Sequence, residues 1–470
     1  MNTIGRHCPR DAVRVDLSAQ QAQEEAEVAR IYREILTRAP EHKVQPSLDR
    51  VRTCLDLMGN PQQMFRAIHI TGTNGKTSTS RLIEALMREQ GLRTGRFTSP
   101  HLSSVRERIA IDGQAISAAG FIQAWNDVAP FVEMVDRAEP NGVRMSFFEV
   151  FTVMAYAAFA DAPVDVAIIE VGMGGTWDAT NVVDADVAVL MEVAKDHERW
   201  LGHDLTDIAT EKLGILKSGA RLICAEQQPQ VMELVQERVA CQGASAVYYG
   251  QDLKVENREP AVSGQLITVS TPCARYEDIP LAMLGEHQSR NAAMAIAAGE
   301  AFFGGHAFSA QVIEHALMST VSPGRMEVVR SSPLVIVDAA HNPAGAEVTM
   351  TCWEESFPGT HVLVFAAMAD KDVEGILSIA EPYVHSVVVT QLDSERAMPI
   401  DEVAQIARDV FGEDRVAIEP QLDTAIVFAA DVAESVDPTE ITTPSVLVMG
   451  SVVLAGQARR VMGRPAPDGA

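Results

Sequence analysis

His69-Ile70-Thr71-Gly72-Thr73-Asn74-Gly75-Lys76-Thr77-Ser78 is the stretch of this 470-residue chain that decides its fold. A short apolar strand, Ala67–Ile70, runs into it, and a helix is expected from about Thr77 to Arg88. Strand, glycine loop and helix make the setting of a phosphate-binding loop. Backbone N–H groups and the positive end of the helix close around phosphate oxygens there. Thr73, Asn74 and Gly75 would form the cradle for ATP. Lys76 would neutralise the β- and γ-phosphates, and a hydroxyl from Thr77 or Ser78 would face Mg²⁺. The spacing is the short form TGTNGKT, with Ile70 where the longer loop has its first glycine. A plain glycine turn capping a helix is the simpler reading, and Lys76-Thr77 directly after a strand counts against it.

Outward from the loop, the pattern is α/β. Before it, Leu17–Thr37 is rich in helix formers, with Val28, Ile31 and Ile35 at helical spacing; Leu48–Met58 is also amphipathic, and residues 1–16 read as a loose leader. After it, short Val/Ile-rich segments at Val164–Glu170, Asp186–Val193 and Arg221–Ala225 alternate with helical stretches, as in a buried, mostly parallel sheet. Residues 254–283 read as short antiparallel strands, and Asn291–Glu300 as a helix of small residues. A boundary is expected near Val321–Arg325. The alternation then restarts, with strands at Leu334–Asp338, His361–Ala366, Ser386–Thr390 and Ser445–Met449; Asp423–Pro444 reads as a helix and a polar turn. The expected organisation is an ATP-binding domain over 1–321, with a helical lead-in, and a Rossmann-like α/β domain over 322–470.

Bulk composition excludes several classes. Hydrophobic residues make up 47% and charged residues 22%, which describes a folded chain. A net charge of −26 disfavours nucleic acid and anionic membrane as general partners, though a local basic pocket can still hold ATP. The six cysteines are scattered, with no CxxC pair, as suits reduced thiols in a cytoplasm. No apolar run reaches the ~20 residues of a membrane span, and the first residues lack a secretory apolar core.

Further motifs stand in order along the chain. Phe97-Thr98-Ser99-Pro100-His101-Leu102 with Glu107-Arg108-Ile109, Ser146-Phe147-Phe148-Glu149, Glu170–Asn181 (EVGMGGTWDATN), Asp196-His197, Glu211-Lys212-Leu213-Gly214-Ile215, Gly285-Glu286-His287-Gln288 with Asn291, Pro323-Gly324-Arg325, and Asp338–Pro343 (DAAHNP) follow the loop. Together with TGTNGKT they resemble the Mur ligase superfamily of ATP-dependent amide ligases, and within it the folylpolyglutamate synthase and dihydrofolate synthase family. The resemblance spans about Leu48–Arg459.

It implies a ligase that adds L-glutamate to dihydropteroate or a reduced folate through an acyl phosphate, as a cytoplasmic monomer using ATP and two Mg²⁺ ions. Ser99 and Glu149 would be metal ligands, and His197 would hold the second Mg²⁺, although imidazole is an unusual ligand for that hard cation. Glu149 lies in an apolar run, and a buried carboxylate needs a partner, which a metal would supply. Lys212 would be carbamylated: CO₂ adds to a neutral amine and leaves a carboxylate on a long arm. Asn291 would contact the nucleotide, and Arg325 its phosphates. Asp338 and His341 stand at the carboxyl end of a strand, where open α/β sheets bind ligands, and complete the catalytic candidates with Lys76 and Lys212. The chain departs from the family's EVGLGGRLDATN at Thr176, where an arginine is common, and at Trp177. A need for K⁺ stays open; of the two acceptors, the resemblance favours use of both. A cell-wall ligase of the same superfamily is an alternative, although only about 70 residues precede the loop and read as helices, too few for its usual first domain. A P-loop ATPase without ligation is the other.

Overall fold

The computed structural model describes residues 9–40, 46–138, 142–262, 264–436 and 444–470, with only the backbone for 9–18. Two large sheets and a small one organise it. The first has eight strands: β1 (Arg66–Thr71), β2 (Thr94–Phe97), β3 (Ile109–Ile111), β4 (Gln114–Ala115), β5 (Val166–Glu170), β6 (Val187–Leu190), β7 (Arg221–Cys224) and β8 (Ser245–Tyr248). Their spatial order is β4-β3-β2-β5-β1-β6-β7-β8, parallel except where β3 pairs with β2 and β4. β9 (Lys254–Ala261), β10 (Gly264–Ser270) and β11 (Arg275–Leu281) form an antiparallel three-stranded sheet. The third sheet holds β12 (Glu327–Ser331), β13 (Leu334–Val337), β14 (His361–Phe365), β15 (Ser386–Val389), β16 (Val416–Ile418) and β17 (Ser445–Met449). Its order is β12-β13-β17-β14-β15-β16, with only β12 antiparallel.

The period-two alternation of each strand assigns its faces. Ala67, Phe97 and Ile169 join the core beneath the helices of the first 160 residues. Ile68, Ile70, Ile168, Val187 and Val189 point the other way, toward helices Lys76–Glu89 and Glu286–Phe302. Those two helices pack closely because the second is built from alanines and Gly299, where a Cβ would come within 2.9 Å of Met87 Cε on the first. In the third sheet Leu334 and Ile336 face one core, and Val335 and Val337 the other.

The strands expected from the sequence lie within a few residues of those observed. The first helix differs, running from Pro9 to Leu36 and so beginning inside the stretch read as a loose leader. The helix read within Asp423–Pro444 is Leu422–Val436; the polar turn after it falls at 437–443, outside the described residues. Five cysteines, Cys54, Cys224, Cys241, Cys273 and Cys352, are free. No helix among the described residues is long and apolar enough to cross a membrane.

Gly95 on β2 tests the packing. A Cβ there would stand 2.6 Å from the Phe159 ring. Gly95→Ala is expected to lower unfolding free energy by about 1–3 kcal/mol, read from urea melts, and adding Phe159→Leu should recover part of the loss. Equal stability of Gly95→Ala and wild type would contradict this packing.

Candidate active site

Four neighbouring strands deliver the site from one edge of the first sheet. In the order β2, β5, β1, β6 their carboxyl ends lead to Ser99, Glu170, the loop Gly72–Lys76, and Asp196-His197. This is the crevice beyond the strand ends where open α/β sheets bind ligands.

Backbone conformation shapes the loop. Gly72 has φ 142° and sits so close to β6 that a Cβ would lie 2.5 Å from the Met191 Cβ. Gly75 has φ 83°, and a Cβ there would lie 2.8 Å from Asn291 Oδ1. Only glycine combines these angles with such contacts. Thr73 Oγ1 donates to Ala194 O at 2.9 Å, fastening the loop to the segment after β6. Lys76 opens the helix and folds its Nζ back onto the carbonyls of Gly72 and Thr73, both at 3.0 Å. Thr77 Oγ1 donates to the Glu170 carboxylate, 3.0 Å from each oxygen. Ser78 Oγ meets Ser322 Oγ at 3.0 Å, joining the loop helix to the start of the inter-domain connection.

Thr73, Asn74, Gly75, Lys76, Thr77, Ser78, Ser99, His197, Lys212, Arg325 and His341 all line one cleft of about 110 Å³. Glu170 and Asp196 line it too. Three sequence candidates do not. Glu149, expected to ligate metal, is committed elsewhere: Arg50 pairs with it at 2.9 Å, and it caps its own helix by accepting from Ser146 N at 2.6 Å. Its need for a partner was correctly read, but the partner is arginine. Asp338, expected at the nucleotide, spends both oxygens on structure, accepting from Met326 N at 2.8 Å, Ala340 N at 2.7 Å and Thr349 Oγ1 at 3.2 Å. It thereby anchors the turn just after Arg325. Asn291 supports Gly75 from behind and donates to Gln288 Oε1 at 3.0 Å.

Glu170 is the acid that sequence reasoning missed. Its signal was present: it ends the strand beside β1, with Ile70 paired to it in register. Burial pushes its carboxyl up to about 7, against the pull of Lys76 and the Thr77 hydroxyl. Lys212 is buried, donates to Gly72 O at 2.9 Å, and is lowered to about 7 by burial and then by Lys76. Burial also lowers Lys76, with Glu170 and Asp196 opposing. His197 adopts φ 54° and is lowered to about 4, chiefly by burial.

Asp196 joins the two large units. It accepts from Lys371 Nζ at 2.7 Å and Asn342 Nδ2 at 3.2 Å, and His341 Nε2 stands 3.7 Å away. Burial alone would raise its pKa, but His341, His197 and Lys371 together hold it well below the carboxylate range. Asn342 and Asn74 also exchange amide hydrogen bonds across the cleft, at 3.3 and 3.2 Å.

A phosphate loop, a buried acid on its threonine and cations from two α/β units define an ATP-dependent ligase of the Mur type. Residues 130–299 match the Mur ligase middle domain, and residues 324–452 the Mur ligase glutamate ligase domain. The chain is 42% identical to the dihydrofolate synthase/folylpolyglutamate synthase of Mycobacterium tuberculosis, over 91% of this chain and 92% of that one. It is 32% identical to the enzyme of that name from Escherichia coli, over 72% and 75%. The solved structure of M. tuberculosis folylpolyglutamate synthase with ADP and AMPPCP superposes with a TM-score of 0.90 at 41% identity, covering 94% of this chain and all of that one. A solved FPGS–AMPPCP–folate complex gives 0.78 at 28% identity, over 94% and 99%. The chain belongs to the dihydrofolate synthase/folylpolyglutamate synthase family of Mur ligases.

The two acids make opposite predictions. Glu170→Ala should cut ligation by about 100-fold or more, with the fold intact. Glu149→Gln should retain ligation by the folded protein and lower its stability, because the buried Arg50 guanidinium loses a carboxylate partner. The reverse pattern would restore Glu149 to the site. Glu170 also has a pH signature in protein free of metal and nucleotide. Its folded pKa of about 7 lies above the ordinary 4.5, so its contribution is full below pH 4.5 and is lost as pH rises through 7. Glu170→Gln should therefore match wild type near pH 4.5 and exceed it by on the order of 3 kcal/mol at pH 8. Superimposable melting curves at both pH values would contradict the burial argument.

Proposed function

We propose that this chain joins L-glutamate to the carboxylate of a pteroate or folate at the expense of ATP, accepting both dihydropteroate and reduced folates. The observation that carries the reading is the single cleft shared by Lys76, Glu170, Lys212 and Arg325, closed from above by His341 and the Asn342–Asp196–Lys371 contact. The names of the matched relatives point to the same substrates.

A free carboxylate is a poor electrophile. Transfer of the γ-phosphoryl group to one of its oxygens makes phosphate the leaving group, and the glutamate amine then attacks the acyl carbon. Catalysis of the first step is mainly positioning and neutralisation of charge on the transferred group. The backbone of Thr73–Gly75 cradles the phosphates. Lys76 sits at the helix start beneath them, and Arg325 faces them from the connection between the units. No described protein side chain pairs with the Arg325 guanidinium, which leaves its donors for phosphate oxygens.

The donor set fits Mg²⁺. Thr77, Ser99 and Glu170 supply hard oxygen, with His197 at the far wall. When bound, Mg²⁺ would screen phosphate charge. Lys212, held near pKa 7, keeps a neutral amine fraction suited to carbamylation, and its buried place beside Gly72 suits the resulting carboxylate to a second metal. His341 donates from Nδ1 to Ala339 O at 2.9 Å, which fixes its ring at the cleft wall beside the Asp196 carboxylate, where the incoming glutamate ammonium would approach. Closure of the glutamate ligase domain keeps water from the acyl phosphate. Thr176 and Trp177 replace the family's usual residues without opening the loop: Thr176 N donates to Glu211 O at 3.0 Å, and Trp177 N to Glu211 Oε1 at 3.2 Å.

The test supplies ATP, Mg²⁺ and L-glutamate with dihydropteroate, with tetrahydrofolate, or with neither, and weighs the products. Each acceptor should gain one glutamyl unit with one phosphate released. Product from one acceptor alone would narrow the activity to that one, and phosphate release independent of both would favour a non-ligating ATPase. Lys76→Ala should abolish product, and near-normal turnover would remove the loop from the mechanism. Lys212→Ala should be inactive and regain activity with added formate or acetate; full activity without either would exclude a carbamate role.

A further inference from the structure

Beyond the hinge at Val321–Arg325, a second connection joins the two units. Asp468 follows the last long helix, Val452–Val461, of the glutamate ligase domain, yet its carboxylate lies inside the ATP-binding domain. It meets Arg81 through two hydrogen bonds of 2.8 Å and Arg96 Nη2 at 2.7 Å. Arg96 is 1% exposed, and its Nε donates to Glu84 Oε2 at 2.6 Å. The quartet is neutral only with Asp468 seated. Without it, two arginines face one carboxylate in a buried setting, which is costly. Both arginines pull Asp468 down to about 2, against the effect of burial.

The near end of this segment is tied as firmly to its own domain. Arg464 donates to Val329 O at 3.1 Å and Val328 O at 2.8 Å on β12. Arg459 donates to Pro465 O at 3.1 Å and to Glu327 Oε2 at 2.8 Å. The same Glu327 oxygen accepts from Gly324 N in the hinge at 2.7 Å. Only three residues thus separate an anchor on one domain, Arg464, from an anchor on the other, Asp468, and the hinge shares the network.

The elements seized by Asp468 are those that carry the chemistry. Arg81 lies on the helix that Lys76 begins, and Arg96 on β2, three residues before Ser99. We propose that Asp468 is a positioning residue, and that Arg464–Asp468 is a strap holding the glutamate ligase domain in register over the phosphate loop and the Ser99 turn. Its consequence is coupling: with the strap seated, the acyl phosphate meets the glutamate amine; with it released, the cleft opens and water takes the acyl phosphate, returning the free carboxylate and inorganic phosphate. The coupling assay rests on the ligase reading above, and product from wild-type enzyme in the same mixture separates failure of that reading from failure of the strap.

The experiment compares wild type, Asp468→Asn, Asp468→Glu and Arg464→Ala, measuring phosphate released per glutamyl product and nucleotide affinity. Asp468→Asn should raise the phosphate-to-product ratio at least about threefold and raise the KM for glutamate, with nucleotide affinity little changed. Asp468→Glu should recover part of the coupling. Arg464, exposed on the surface, keeps the test open if Asp468→Asn does not fold, and Arg464→Ala should uncouple in the same direction. Hydrogen exchange gives a readout apart from activity: amides of Gly95–Phe97 and of the Lys76–Glu89 helix should exchange faster in Asp468→Asn and Arg464→Ala. Unchanged coupling in the folded variants, or equal loss of phosphate release and product with a lowered melting temperature alone, would overturn the proposal.

Discussion

A buried carboxylate that accepts from a threonine hydroxyl and feels the charge of Lys76, in a cleft that Lys212 also lines, is the constraint on which the site depends. Glu170, Lys76 and Lys212 line one small cleft, and burial moves all three toward their neutral forms. Such charges persist in a protein interior only when paired or when a charged ligand completes them. A polyphosphate and a hard cation are complementary to this arrangement, one to the lysines and Arg325, the other to the acid and hydroxyls. The same burial that disfavours the empty charge pattern strengthens every electrostatic contact once a nucleotide is bound.

The sheet makes that arrangement by strand order. β5 and β6 flank β1, so the ends that carry Glu170 and Asp196 stand on either side of the phosphate loop, and β2 brings Ser99 alongside β5. Asp196 then extends the site upward, drawing Lys371, Asn342 and His341 of the second domain over the cleft. One segment after a strand therefore serves both the cleft and the contact between the domains.

Much of this was legible from the residues alone. The phosphate loop declared itself through glycine, lysine and threonine after an apolar strand, and the strands of both sheets through Val/Ile-rich runs. Eleven of the named site residues fall in one cleft. What could not be read was which of the two buried acids lines the cleft. Glu149 and Glu170 both sit beside apolar residues, and local sequence gives no sign that Arg50, 99 positions away, satisfies the first. Strand adjacency separates them, and adjacency is a property of the folded sheet. Asp338 stands at the strand end read for it, but that its Oδ2 accepts from Met326 N, at a left-handed turn with φ 44°, is visible only in the folded chain. The Arg81–Asp468 contact, 387 residues apart, lies beyond any local pattern.

On the proposed mechanism an acceptor carboxylate is phosphorylated in this cleft before glutamate attacks. The most direct measurement uses an acceptor labelled with ¹⁸O in the reacting carboxylate and follows the label into inorganic phosphate by mass. An acyl phosphate requires that one labelled oxygen leave with the phosphate for each amide bond made, the other remaining in the product carbonyl. Unlabelled phosphate released in step with product would contradict the account, because the carboxylate oxygen would never have been joined to phosphorus.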